Sequence, residues 1–230
     1  MALANVLVLS QIAGHVILFI LSLCMIFPLS MNLNEFNGHC LLFASGKWRE
    51  EDGLFNVEWA SPGFCRFPLA TGIVLFFVSS IQIYRFARLR EESSFLALFI
   101  DVVLGIQMLA MSILSAIIIT LGFIVWCSEM TERFPSCEIA AGQNITPGGE
   151  KIDTSGFYIE MGTAQFGAWG SFAISVGVAV IALLKLINNH QIRNIKVSMY
   201  LERQRLVNED ALNVNNQRDG RSTPPIEAAR

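Results

Sequence analysis

Apolar residues run almost without interruption over residues 5–29, 67–84, 95–126 and 163–187, and polar or charged segments separate the four runs. At a helical rise of ~1.5 Å per residue, each run crosses or nearly crosses a hydrocarbon layer ~30 Å thick. The pattern predicts an all-α membrane protein: a four-transmembrane-helix bundle in residues 1–187, with connections at 30–66, 85–94 and 128–162.

The first connection is longer than a simple link needs, and its own pattern predicts a fold. His39–Phe43 and Leu54–Trp59 are apolar and aromatic, and Ser45-Gly46 and Asp52-Gly53 supply turns between them. A two- or three-stranded hairpin sheet is expected. Trp48 and Trp59 then form either the core or membrane seat of this small sheet, or a contact surface. The second connection, with Gly142, Gly148, Gly149 and Gly156 among small and acidic residues, reads as mostly irregular.

Charge adds a direction to this scheme. The chain has 53% apolar and 15% charged residues and a net charge of −3, but the cations are gathered. Arg85, Arg88 and Arg90 lie between the second and third runs, and Lys185, Arg193, Lys196, Arg203 and Arg205 lie at and beyond the end of the fourth. By the positive-inside rule these segments face the cytosol. The segments 30–66 and 128–162 are rich in Asp and Glu and face the exterior or a lumen, so both termini are expected in the cytosol. A cleaved leader is not expected, because no Lys or Arg precedes the first run and the run is long. The expected location is the plasma membrane or a secretory-pathway membrane.

The cysteines agree with this sidedness. Cys40 and Cys65 fall in the first outer segment, Cys127 and Cys137 bracket the start of the second, and Cys24 is left inside a span. Two bonds within the segments, Cys40–Cys65 and Cys127–Cys137, are expected on the oxidising side, although four cysteines allow three pairings. Asn144-Ile145-Thr146 is a glycosylation sequon on the same side, with Pro147 following it.

Within the spans, Thr163, Gly167, Ser171, Ser175 and Ala179 recur every four residues along one helix face, and Ser112, Ala116 and Thr120 do so in the third run. Such rows allow close helix approach, either between these two spans or against a partner protein. The polar groups in or near the spans are Gln11, His15, Gln82, Asp101, Gln107 and Lys185. A conduction path would use some of them. Asp101, however, lies near the cytosolic end of its run, at headgroup level, and Lys185 can reach the same interface along its aliphatic stem. No filter-like sequence and no broken-helix repeat occurs.

The chain carries no zinc-protease motif, nucleophile elbow, phosphate-binding glycine loop or carboxylate pair beside a histidine. No enzymatic activity, cofactor, metal site or nucleic-acid partner is expected. Residues 188–207 place Ile192, Ile195, Met199 and Leu206 near one helical face among Arg and Lys, which suits either a helix lying on an anionic leaflet or a solvated continuation of the fourth run. Residues 208–230 become polar, with Ser222-Thr223-Pro224-Pro225 near the end, and are expected to be disordered.

Several spaced motifs act together: Phe36-x-Gly38-x-Cys40-Leu41-Leu42-Phe43 with Gly46 and Trp48, and Val57-x-Trp59-x-x-Pro62-x-x-Cys65-Arg66-Phe67. They continue in Gly122-Phe123-x-x-Trp126-Cys127, Ser136-Cys137, Phe157-Tyr158 and Ala164-Gln165-Phe166-Gly167-x-Trp169. On these residues, over roughly 1–187, the chain resembles the transmembrane protein 179 family of four-span proteins. The resemblance implies architecture and no particular activity. A looser similarity to claudin-like tetraspans extends to the four spans and stapled first loop. There, a Gly-Leu-Trp is followed closely by two cysteines, whereas here Gly46-Lys47-Trp48 lies between Cys40 and Cys65. The functional expectation is an accessory or adaptor protein in the bilayer that contacts another membrane protein or itself. Claudin-like adhesion through the first outer loop is the alternative.

Overall fold

A computed structural model of the chain describes residues 2–51, 53–88, 95–143 and 154–219. Its elements are α1 (Ala2–Glu35), β1 (Cys40–Trp48), β2 (Phe55–Ala60), α2 (Gly63–Arg88), α3 (Phe95–Thr131) and α4 (Phe157–Asp219). Each predicted apolar run lies inside one helix, and four helical segments are long and apolar enough to cross a membrane. The protein is a multi-pass membrane protein with four spans.

The helices outlast the apolar runs because backbone hydrogen bonding continues until a residue ends it. At the end of α1 the chain turns through Asn37 (φ 51°) and Gly38 (φ 84°), and the Gly38 N–H closes back on the Leu33 carbonyl at 2.7 Å. A left-handed pair of this kind satisfies the last free carbonyls of a helix.

Two compact units make up the chain, Met1–Lys185 and Leu186–Arg230. In the first, α1 packs on α2, α2 on α3, and β1 on α3. The second is helical as far as Asp219, and its side chains are almost all exposed through Glu209. Composition led to an expectation of disorder from residue 208, yet the helix continues past it. No Gly or Pro occurs between Leu186 and Asp219, and the first breaker is Gly220. Residues 220–230, with Ser222–Pro225, lie outside the described residues.

The hairpin is a two-stranded antiparallel sheet in which Ser45 faces Glu58 and Trp48 faces Phe55. Ser45-Gly46 was expected to turn the chain, but both residues lie inside β1. Phe43 takes φ 63°, and the register shifts between Cys40 and Ser45, so the irregularity is a bulge rather than a turn. Gly46 serves close approach. A Cβ there would fall on the Asn56 carbonyl oxygen and 2.7 Å from the Phe55 ring. The turn itself lies farther on, where Arg49 donates to Leu54 at 2.8 Å, Gly53 donates to Arg49 at 3.0 Å, and Gly53 adopts φ 73°. Asp52 is outside the described residues.

The sheet is seated on the bundle. Leu41, Leu42 and Ala44 of β1 are fully buried, and a Cβ at Gly122 of α3 would stand 2.7 Å from Leu42 Cβ. Trp126, one turn farther along α3, is fully buried and meets Phe36, Phe55 and Phe157 edge-on, at ring-centroid distances of 6.4, 5.9 and 6.2 Å. One indole thus joins the end of α1, strand β2, and the start of α4.

Candidate functional site

Both expected disulfides are present. Cys40–Cys65 (Cα–Cα 5.6 Å) ties the start of β1 to the first turn of α2. Cys127–Cys137 (5.2 Å) ties the last turns of α3 to the segment that follows. Cys24 is a free thiol in α1. Trp48 and Trp59 are each half-buried and packed inward. The Trp48 indole N–H donates to the Glu129 carbonyl at 3.1 Å, its ring lies 4.8 Å from Phe55, and the Arg133 guanidinium stands 5.3 Å over it. Trp59 stacks on His39 at 4.9 Å and meets Phe36 edge-on at 6.1 Å. Asn144 lies outside the described residues.

The small residues of α4 are divided between two neighbours. Gly167 comes against α1, where an added Cβ would stand 3.0 Å from the Leu21 carbonyl oxygen and 3.2 Å from the Cys24 carbonyl carbon. Ala179 comes against α3, with its Cα 3.2 Å from the Cβ position of Gly105. Ser171 and Ser175 are buried between these two levels, and Thr163 is half-buried nearer the start of the helix. On α3, Ser112 and Ala116 are buried, and the Thr120 hydroxyl accepts from Gln165 at 3.2 Å and from the Trp169 indole at 3.0 Å.

Five of the six polar span residues meet in the half of the bundle away from the hairpin. The Asp101 carboxylate of α3 is buried, accepts from the Gln82 amide of α2 at 3.2 Å, and is ion-paired with Arg85. On the other side the Lys185 ammonium of α4 donates to the buried Gln11 of α1. The Phe86 ring lies between the two groups, with the Arg85 guanidinium 5.0 Å, Lys185 Nζ 5.1 Å and the His15 ring 5.9 Å from its centroid. All four helices contribute, so the cluster works as a polar clasp. Asp101 is shielded by Arg85, and Lys185 turns toward Gln11 of α1. In the sequence Arg85 stands only as one of the cations of the cytosolic connection. Its signal was a lone intraspan carboxylate with a cation near the facing helix end.

Asp101 is buried but Arg85 is partly exposed, with side chains 7% and 27% exposed, so removing the carboxylate leaves a partly solvated guanidinium and an unpaired Gln82 amide, a loss of about 1–3 kcal/mol. Asp101→Ala is therefore expected to lower the thermal midpoint of the detergent-solubilised protein and its folded yield. The double variant Asp101→Leu/Arg85→Met should recover much of that loss, measured in the same assay. An Asp101→Ala protein as stable as the parent would show that the clasp contributes nothing.

The sixth polar residue is elsewhere. Gln107 is exposed on α3, in a shallow groove of about 340 Å³ lined with Val103, Ile106, Ala110 and Met111. The other three helical glutamines of this unit are not exposed: Gln11 and Gln82 are buried, and Gln165 is half-buried against Thr120. Among the described residues, no three His, Cys, Asp or Glu gather as metal ligands.

Four membrane spans, with a two-stranded disulfide-stapled sheet between the first and second, define a tetraspan membrane protein. Residues 7–207 match the family described as Transmembrane protein 179/179B Claudin domain, and the chain belongs to that family. The match continues beyond the fourth span, into residues whose sequence carried no recognisable motif. No solved structure matches the chain.

Proposed function

We propose that this tetraspan is a non-enzymatic accessory or adaptor protein, acting through lateral contact with other protein in its own membrane. The reading places both termini in the cytosol and the stapled sheet outside or in a lumen. The observation that carries it is Gln107, a carboxamide on the lipid-facing surface of α3. It lies six residues from Asp101, or about 9 Å along the helix axis, on the side toward the hairpin. An amide facing hydrocarbon has no water to bond, and a protein neighbour that supplies a donor and an acceptor relieves that cost. Adhesion through Trp48 and Trp59 draws less support, since both indoles are engaged within the sheet and its seat.

Proximity labelling combined with co-purification in a mild detergent tests the reading. The expected result is a stoichiometric protein partner or a self-associated species. Recovery of the monomer with only bulk membrane proteins would overturn it.

A further inference from the structure

On α3 the residues Val103, Gln107, Ala110, Leu114, Ile117 and Leu121 are all exposed. They follow one another at intervals of four, three, four, three and four. That is the a/d spacing of a heptad seam, the pattern by which two helices supercoil along a shared stripe. A lipid-facing face of any straight helix has this spacing too, and Ile106 and Ile124 beside the stripe are also exposed, so it is the amide among apolar residues that sets this face apart. A single amide at one seam position has a recognised effect in paired helices, where it fixes register and partner number.

From the exposed amide of Gln107 on this otherwise apolar stripe we propose that α3 pairs with α3 of a second copy of this chain, about a two-fold axis along the membrane normal. The proposal rests on the lateral-contact reading and names the partner. All copies of one chain enter the membrane with the same topology, so two α3 helices that meet along this stripe run parallel. A two-fold axis then places each seam residue opposite itself at the same depth. A carboxamide is its own complement, because its N–H groups donate while its carbonyl oxygen accepts. Two Gln107 side chains brought together satisfy each other without any other polar group at that depth. A different protein would have to supply a matching polar residue at the same level. Ala110 is the smallest residue of the seam and lies one turn from Gln107, so it allows the backbones to approach where the amides must meet.

The test uses the full chain in cell-derived membranes, in a Cys24→Ser background so that no free thiol remains among the described spans. A cysteine introduced at Ala110 is expected to form an intermolecular disulfide under mild oxidation, whereas one at Phe77, exposed on α2, is not. Gln107→Leu should lower the Ala110→Cys cross-linking about tenfold, the size expected for losing the two reciprocal amide hydrogen bonds in a bilayer. Gln107→Asn, which keeps the carboxamide, should retain most of it. Gln107→Leu places an apolar group against lipid, so the variant folds, and an intact Cys40–Cys65 bond on a non-reducing gel verifies this. Undiminished cross-linking in Gln107→Leu, or equal cross-linking from Ala110→Cys and Phe77→Cys, would overturn the pairing. A photo-cross-linker at Ala110 separates the two readings. Capture of a stoichiometric different protein would overturn self-pairing and leave lateral contact standing, and capture of no protein would overturn both.

Discussion

Replacing Trp126 with alanine is expected to destabilise the protein by about 4 kcal/mol, the range for truncating a fully buried large aromatic side chain. The magnitude follows from what the indole touches. Phe36, Phe55 and Phe157 come from three different elements and each meets Trp126 edge-on, an arrangement that favours aromatic pairs beyond the area they bury. Alanine would leave a cavity at the junction of α1, β2, α3 and α4, and a packed interior relaxes only partly around such a void. Trp126→Phe should be much milder. The indole Nε1 is buried without a hydrogen-bond partner among the described residues, so phenylalanine gives up volume but no hydrogen bond. Thermal unfolding in detergent, followed by exposure of Cys24 to a thiol reagent, measures both. Equal midpoints for the alanine and phenylalanine variants would remove the indole from its central place.

The second large effect is expected at Cys40–Cys65. The bond spans a sequence separation of 25, and for a loop of this size the chain-entropy treatment gives about 3 kcal/mol. A two-stranded sheet has little core of its own with which to offset that loss. The burial of Leu41, Leu42 and Phe55 depends on the hairpin remaining seated on α3, and Cys40 anchors its first strand. Cys40→Ser and Cys65→Ser should each reduce the surface-delivered or fully processed fraction several-fold, with the protein retained early in the secretory pathway. Cys24→Ser should change little. Delivery of Cys40→Ser at the parental level would show that the bundle folds without the staple.

The spans were legible because hydrophobic length is a strong signal, and the cysteine pairing because compartment and proximity restrict it. The hairpin strands were legible in kind but not in detail. Gly46 has the residue type of a turn, and only the position of the Phe55 ring and Asn56 carbonyl shows that the missing Cβ makes room instead. Trp126 stood among the motif residues, yet nothing local marked it as the meeting point of three aromatic rings from distant parts of the chain. Asp101 and Arg85 likewise required the α2–α3 packing to bring them together. The row on α4 was visible as a periodicity. Its division between Gly167 against α1 and Ala179 against α3 depends on the helix crossing, which small-residue spacing does not encode.

The sidedness proposed for the hairpin and the tail depends on four crossings with both termini on one side. Accessibility of inserted epitopes measures this directly, in intact cells or sealed vesicles compared with permeabilised ones. Tags at either terminus are expected to react only after permeabilisation, while a tag inserted next to Gly149 reacts at the outer surface of intact cells or from the lumenal side of vesicles. An N-terminal tag that reacts on intact cells would contradict the account.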